Sequence, residues 1–295
     1  MSAVVTTRSW FARQRWLLLR RTSQLGLLGV FLLGPWCGIW WVKGNLAASL
    51  WFDLIALEDP LVALQSLLAT QHMTRTALLG SGLILLFYGI VGGRVYCSWV
   101  CPVNVITDVA HWCRERLHLP PGWRPQRALR GWLLAMSLVV SALTGGIVWE
   151  LVNPVTLVQR GLVFGMGLAW AIVAAVFFFD VLVSRRGWCG HLCPVGAFYG
   201  LLGRQSLIRI AAHRREACTD CGDCFAVCPE PQVITPALRG GAGDTRLVLS
   251  GDCTNCGRCI DVCPDDVFKF SLRPGYQGDR PSARRASSAQ RETHN

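Results

Sequence analysis

Eight of the fourteen cysteines form two motifs of identical spacing near the C-terminal end of the chain. The stretches "CTDCGDCFAVCP", from Cys218, and "CTNCGRCIDVCP", from Cys253, both read C-x₂-C-x₂-C-x₃-C-P. Bacterial ferredoxins hold two [4Fe-4S] clusters with this spacing, and the fourth cysteine of each motif binds the cluster of the other motif. The spacing therefore predicts two crossed ligand sets: Cys218, Cys221, Cys224 and Cys263 for the first cluster, and Cys228, Cys253, Cys256 and Cys259 for the second.

Zinc and disulfides explain these motifs less well than iron–sulfur clusters do. Zinc ribbons use separated C-x₂-C pairs, and disulfides are rare in the reducing cytoplasm, where this part of the chain is predicted to lie. Gly222 and Gly257 follow the second cysteine of each motif, where a flexible backbone can bend around a cluster. Short β-prone runs between the motifs predict a small α+β ferredoxin domain with two clusters over residues 211–275.

Four more cysteines form a second repeated motif, C-x₃-C-P, in "RVYCSWVCPV" and "RGWCGHLCPV". On one helix, the spacing of four puts Cys97 with Cys101, and Cys189 with Cys193, on a common face. If the two copies pack about a pseudo-two-fold axis, four thiolates converge and suit an additional soft-ligand metal or a small iron–sulfur centre. Two alternatives stay open: reversible thiol/disulfide pairs, or buried cysteines that only pack before a helix-ending proline.

The elements that must position these cysteines are apolar. Hydrophobic residues make up 52% of the chain and charged residues only 16%, which indicates a membrane protein. Four runs approach the roughly 20 apolar residues that a spanning helix needs; they cover about residues 25–41, 77–93, 132–151 and 162–183. A C-x₃-C-P motif follows each pair of runs. The predicted fold is an all-α polytopic membrane protein, with four transmembrane helices in two parallel halves and the ferredoxin domain at the C-terminus.

The net charge of +11 does not indicate nucleic acid as a partner, because the arginines flank the apolar runs. By the positive-inside rule, both termini, both C-x₃-C-P motifs and the ferredoxin domain face the cytoplasm of a bacterial inner membrane. The predicted domains are a basic N-terminus (1–24), the first helix pair (25–110), a cytoplasmic connection (111–131), the second helix pair (132–210), the ferredoxin domain (211–275) and a disordered tail (276–295).

Two carboxylates fall at predicted membrane depth, Glu150 near the outer end of the third span and Asp180 near the inner end of the fourth. Ionisable residues at such positions are candidates for function. Each is a candidate acceptor of a quinol proton. Each is equally able to pair with an arginine, Glu150 with Arg160 and Asp180 with Arg185.

Four predicted spans, the repeated C-x₃-C-P motif and the two-cluster tail resemble the NapH family, the ferredoxin-type membrane subunits of periplasmic nitrate reductase systems. The resemblance covers about residues 15–272. It implies an electron-transfer subunit of a quinol dehydrogenase complex, which oxidises membrane quinol with a periplasmic NapG-like partner and passes electrons toward nitrate reductase.

MauN, NosR-type and CcoG-type proteins share parts of this layout, and the short outer loop favours the NapH-like form. The NosR-type and CcoG-type relatives imply an alternative role, a redox maturation or maintenance factor that delivers electrons to a metal centre of a respiratory enzyme.

Overall fold

The computed structural model describes residues 10–120, 122–123, 125–165, 167–241 and 244–274. The predicted disordered tail (276–295) and the first nine residues of the predicted basic N-terminus lie outside the described residues.

Helix α1 (Trp10–Cys37) is longer than the predicted first span. It begins within the predicted basic N-terminal segment and ends before Trp41, because the chain turns at Gly38, whose φ is +73°. At 1.5 Å per residue its 28 residues extend about 42 Å. Within the described part of the chain, α1 is the one helix that is long and apolar enough to cross a membrane.

The connection after α1 contains a three-stranded antiparallel sheet that the all-α prediction missed. Strands β1 (Val42–Gly44), β2 (Ala48–Trp51) and β3 (Ile55–Glu58) pair in sequence order. Asn45 shapes the first turn by accepting the backbone N–H groups of Ala47 and Ala48, each at 2.8 Å. Helix α2 (Pro60–Thr70) follows the sheet.

Helix α3 (Arg75–Val91) occupies the second predicted span almost residue for residue. Two shorter helices follow it, α4 (Val95–Trp99) and α5 (Val103–Arg116). Thr74 begins α3 by accepting the Ala77 N–H at 3.2 Å. The 17 residues of α3 extend about 26 Å, slightly less than the roughly 30 Å of a bilayer core.

The third and fourth predicted spans are interrupted. Helix α6 (Ala128–Thr144) ends at Gly145, whose φ of +67° only glycine adopts readily, and α7 (Val148–Val152) is separate. Gly165, with a φ of +88°, likewise separates α8 (Pro154–Phe164) from α9 (Leu168–Phe178). A π-helical turn, Phe179–Val183, extends α9.

A second π-helical turn, Trp188–Leu192, precedes α10 (Pro194–Gly203). The sequence predicted that each pair of C-x₃-C-P cysteines lies on one continuous helix. The structure shows that this prediction was wrong. In each copy the first cysteine lies in a short helical turn and the second lies between that turn and the next helix. The cause is the proline, which lacks an N–H group and fits the start of a helix better than its interior.

In the ferredoxin domain, β4 (Ile208–Ala212) pairs antiparallel with β5 (Phe268–Leu272). The two strands flank both cysteine motifs, and β4 begins before the predicted domain boundary at 211. Helices α11 (Asp223–Val227) and α13 (Arg258–Val262) lie within the motifs. The β-prone run between the motifs was wrongly interpreted, because it contains α12 (Thr235–Arg239) and, within its described residues, an isolated bridge at Leu247.

Helix α1 packs directly on the ferredoxin domain. The buried Asp261 carboxylate accepts the backbone N–H groups of Trp16 at 3.0 Å and Leu17 at 3.3 Å. The Trp16 ring lies edge-on to Phe270, with 4.9 Å between ring centroids, and also contacts Trp99 of α4. The N-terminal helix thus joins the second cysteine motif to the helical part of the protein.

Candidate iron–sulfur sites

The eight ferredoxin-motif cysteines surround two cavities, and each cavity is lined by one predicted ligand set. A cavity of about 340 Å³ is lined by Cys218, Cys221, Cys224 and Cys263. One of about 400 Å³ is lined by Cys228, Cys253, Cys256 and Cys259. Sulfur donors together with apolar walls such as Val267 and Phe268 fit a [4Fe-4S] cluster in each cavity.

The local backbone explains how each motif forms a cluster loop. Gly222 and Gly257 have φ angles of +82° and +72° and immediately precede α11 and α13. This left-handed conformation is inexpensive only for glycine. The turns leave backbone N–H groups near sulfur: that of Asp220 lies 3.4 Å from Cys218 Sγ, and that of Val267 lies 3.5 Å from Cys263 Sγ.

The thiols in these cavities require positive charge to ionise. Burial raises the pKa of Cys224 and of Cys253 to about 11, although the backbone N–H groups of Phe225 and Asn255 oppose the shift. Bound iron supplies the positive charge that favours thiolates, so metal binding would release these protons. The ligand sets are therefore chemically suited to a metal cluster.

The two sites differ in exposure. Each set has two buried cysteines, Cys224 and Cys263 in the first and Cys256 and Cys259 in the second, but an exposed cysteine, Cys221, occurs in the first set alone. The ring of Trp16, on α1, lies against Gly257 beside the second set. The first site therefore faces solvent, and the second faces the helical part of the protein.

All four C-x₃-C-P cysteines line one further cavity, of about 400 Å³, which we call the half-interface cavity. Its walls include residues of both halves, among them Tyr96, Trp149 and Trp188. The structure thus brings the two copies of the motif together, although the helices that carry them are broken.

The two copies present their second cysteines in the same way. The backbone N–H groups of Val103 and Asn104, at the start of α5, lie against Cys101, and those of Val195 and Gly196, at the start of α10, lie against Cys193. Helix N-termini favour anions. Burial nevertheless dominates and raises the pKa of both thiols, that of Cys193 to about 12.

Arg94 connects the half-interface cavity to the second ferredoxin site, and its role was not predicted. Its side chain is only 2% exposed and donates to the Cys189 carbonyl at 2.9 Å, Glu230 Oε1 at 2.9 Å and the Asp252 carbonyl at 3.1 Å. Glu230 and Asp252 are close in sequence to Cys228 and Cys253. The available signal was a basic residue just before each C-x₃-C-P motif.

The two carboxylates that were predicted at membrane depth, Glu150 and Asp180, make different contacts. Glu150 lies 3.7 Å from Arg160, the predicted partner, and accepts the Asn153 side-chain amide at 3.2 Å. Asp180 is buried and accepts the Trp188 N–H at 2.9 Å, which holds the turn that carries Cys189.

Another buried carboxylate, that of Asp59, was not predicted from the sequence. It caps α2 by accepting the Leu61 N–H at 2.8 Å, and it accepts the Tyr199 hydroxyl at 3.3 Å. Burial raises the pKa of Asp59 to about 6, against these hydrogen bonds. A polar residue directly before Pro60 was the available signal for a helix cap.

Comparisons with known proteins cover both cysteine regions. A family model described as a 4Fe-4S binding domain matches residues 75–120 and 166–215, and one described as a 4Fe-4S dicluster domain matches residues 217–267. The chain is 54% identical to the methylamine utilization ferredoxin-type protein MauN of Methylorubrum extorquens, over 91% of this chain and 93% of that protein.

The ferredoxin-type NapH proteins of Escherichia coli and Haemophilus influenzae are 48% and 46% identical to this chain. These matches cover 90% and 92% of this chain, and 92% and 94% of the relatives. The comparison with solved structures found no match.

Proposed function

Because the chain belongs to the family of ferredoxin-type NapH and MauN proteins, we propose that it carries electrons from membrane quinol toward a periplasmic nitrate reductase. It is a ferredoxin-like iron–sulfur electron-transfer protein. The observation that carries the proposal is the placement of two cavities, each lined by four cysteines, beside a helical body with apolar outer faces. Cys218, Cys221, Cys224 and Cys263 hold the first cluster, and the crossed set from Cys228 to Cys259 holds the second.

The outer faces of the helices support a multi-pass membrane location. Leu79 and Leu86 of α3 are 74% and 63% exposed, and Trp132 and Leu143 of α6 are 74% and 81% exposed. Contiguous apolar surface of this kind is unfavourable in water and is typical of lipid contact. Four spans, with both termini and the ferredoxin domain in the cytoplasm, match the positions of the arginines.

Oxidation of a quinol releases two electrons and two protons, so the site needs both an electron acceptor and proton acceptors. [4Fe-4S] clusters exchange single electrons when they are bound. Glu150, Asp180 and the buried Asp59 are the candidate proton acceptors. A NapG-like periplasmic ferredoxin protein is the proposed partner that connects this subunit to the nitrate reductase.

A second electron-transfer role is favoured by a specific observation. Two MauN proteins are 54% identical to this chain, above the 46–48% of the NapH proteins, whereas a third MauN protein is 44% identical. The same machinery would then serve methylamine utilization in place of nitrate reduction. A different class of function, redox maturation of a metal centre, would not require turnover of quinol.

The test uses anaerobic membranes that contain the full chain, titrated with a reduced quinol. The proposal expects loss of cluster absorbance in the wild type and in Cys37→Ser, whose cysteine belongs to neither motif, and a much smaller change in Cys259→Ser. A flat response in wild-type membranes with a full complement of iron would contradict quinol oxidation and favour the maturation role. Gene disruption then separates the electron acceptors, because the nitrate proposal expects loss of nitrate-dependent growth with methylamine-dependent growth intact.

A further inference from the structure

We propose that Cys97, Cys101, Cys189 and Cys193 bind a third iron–sulfur cluster, a single [4Fe-4S] centre shared between the two halves of the helical body. The inference goes beyond the proposed function, which requires only the two ferredoxin clusters. The family description that matches this region names neither ligands nor a number of clusters. The geometry supplies both, because two cysteines from each half line one cavity.

The size of the site distinguishes a cluster from a single ion. Four thiolates on one ion, each about 2.3 Å from it, lie about 4 Å from one another. The half-interface cavity and the cavity of the second ferredoxin set have the same volume, about 400 Å³, and each is lined by four cysteines. This likeness to a predicted cluster site favours a polynuclear centre.

The charges around the site point to a bound anion. Asp108 forms ion pairs with Arg20, Arg21 and Arg186. Glu230 forms ion pairs with Arg94, Arg127 and Arg130. Arg94 and Arg130 also form ion pairs with Asp252. Arg127 is exposed, so the other five guanidinium groups against three carboxylates leave an excess of two positive charges. Unpaired buried charge is costly. A [4Fe-4S] centre with four thiolates carries a charge of about −2 when oxidised and −3 when reduced, which offsets this excess.

Several of these arginines line a cavity together with two of the cysteines. A polar cavity beside the half-interface cavity is lined by Cys97 and Cys189 together with Arg20, Arg94 and Arg186. The Nε atoms of all three arginines are buried without a hydrogen-bond partner within the described structure. Donors aimed at this region are suited to thiolate sulfur, which accepts hydrogen bonds in iron–sulfur proteins.

The backbone adds donors in a two-fold arrangement. The first turns of α5 and α10 place backbone N–H groups beside Cys101 and Cys193. The opposite wall is apolar and includes Trp149 and Val155. Such surroundings, with N–H donors toward sulfur and apolar residues elsewhere, set the potentials of iron–sulfur centres.

The position of the site gives it a redox partner. One guanidinium group, that of Arg94, contacts the Cys189 carbonyl, Glu230 and the Asp252 carbonyl. The residues of the proposed third site and those next to the second ferredoxin motif therefore contact one shared side chain. Exchange between the two centres moves one electron, so that one centre is oxidised as the other is reduced, without bond formation or proton transfer.

The test is a count of iron and acid-labile sulfide in the full chain, purified anaerobically in detergent. The expected wild-type values are about twelve of each, four for each of three clusters. The double variant Cys101→Ser/Cys193→Ser is expected to lose about four of each and to keep the electron paramagnetic resonance signals of the ferredoxin clusters. The matched control, Cys37→Ser/Cys113→Ser, removes two cysteines outside all four motifs and is expected to keep about twelve.

Other results would overturn the proposal. About eight irons in the wild type indicates thiol pairs or packing cysteines, and about nine, with one lost in the double variant, indicates a single ion. The wild-type counts and the integrated spin signal decide the question even if the double variant fails to fold. Because neither measurement uses quinol, the counts remain informative if the quinol titration fails.

Discussion

The contact between α1 and the second cluster loop allows a matched pair of substitutions. Gly222 and Gly257 occupy equivalent positions in the two motifs, with φ angles of +82° and +72°. A Cβ atom added at Gly222 meets no heavy atom within 4 Å, whereas one added at Gly257 would lie 2.5 Å from Trp16 Cγ. Both alanine variants therefore strain the backbone, but the added methyl group clashes with the Trp16 ring in Gly257→Ala alone.

The magnitudes follow from these geometries. An alanine held in the left-handed conformation costs about 1–2 kcal/mol, which is the expected loss of stability for Gly222→Ala. Overpacking against a ring costs about 1–3 kcal/mol more, and this is the expected additional loss for Gly257→Ala. Trp16 cannot move away cheaply, because Asp261 holds its backbone N–H at 3.0 Å.

Thermal unfolding of the purified holoprotein, followed by loss of cluster absorbance, measures this difference. Gly257→Ala is expected to unfold several degrees below Gly222→Ala, at about 2–4 °C per kcal/mol. The companion variant Gly257→Ala/Trp16→Ala removes the ring and should recover part of the gap. Equal transition temperatures for the two single variants would refute the packing of α1 against the second cluster loop.

Three further predictions test other parts of the structure. Because the folded pKa of Asp59 is raised from 3.8 to about 6, the folded state holds its proton more tightly, so stability should fall by about 3 kcal/mol as pH rises from about 3 to 7. Asp59→Asn, which keeps the helix cap, should lose this slope in denaturant titrations, and an unchanged slope would contradict the assignment. Asp261→Ala should destabilise the folded protein by about 3 kcal/mol, because it removes a buried acceptor of two backbone N–H groups and of Arg258. A protease should then cut α1 faster than in wild type. Equal cleavage rates would count against the contact between Asp261 and α1. Since Cys221 of the first set is exposed, while the four cysteines of the second set are buried or partly buried, ferricyanide should destroy the first cluster before the second, visible as two phases of iron release, whereas loss of both at one rate would argue against the difference in exposure.

The sequence alone predicted much of the iron–sulfur chemistry, because ligand spacing acts locally. Three cysteines two residues apart, followed by C-x₃-C-P, can wrap a cluster wherever the loop lies, and the pairing of motifs comes with the spacing. The second apolar run also predicted helix α3 almost to its ends. Family membership followed from the same motifs and was confirmed by the comparisons.

The breaks in the helices could not be predicted from hydrophobicity. Gly145 and Gly165 lie within apolar runs, and hydrophobicity does not report the positive φ angles that end α6 and α8 there. The sheet of the first connection was missed because its strands have only three or four residues each. Strands this short carry too little alternation to be recognised.

What the sequence determined is the kind of ligand and its spacing, which are properties of neighbouring residues. Only the tertiary structure decided which distant residues meet. It placed Cys97 and Cys101 in one cavity with Cys189 and Cys193, and it inserted Arg94 between that cavity and Glu230. Such contacts depend on how the two halves pack, and packing is set by the summed shape and charge of many side chains, which local spacing does not encode.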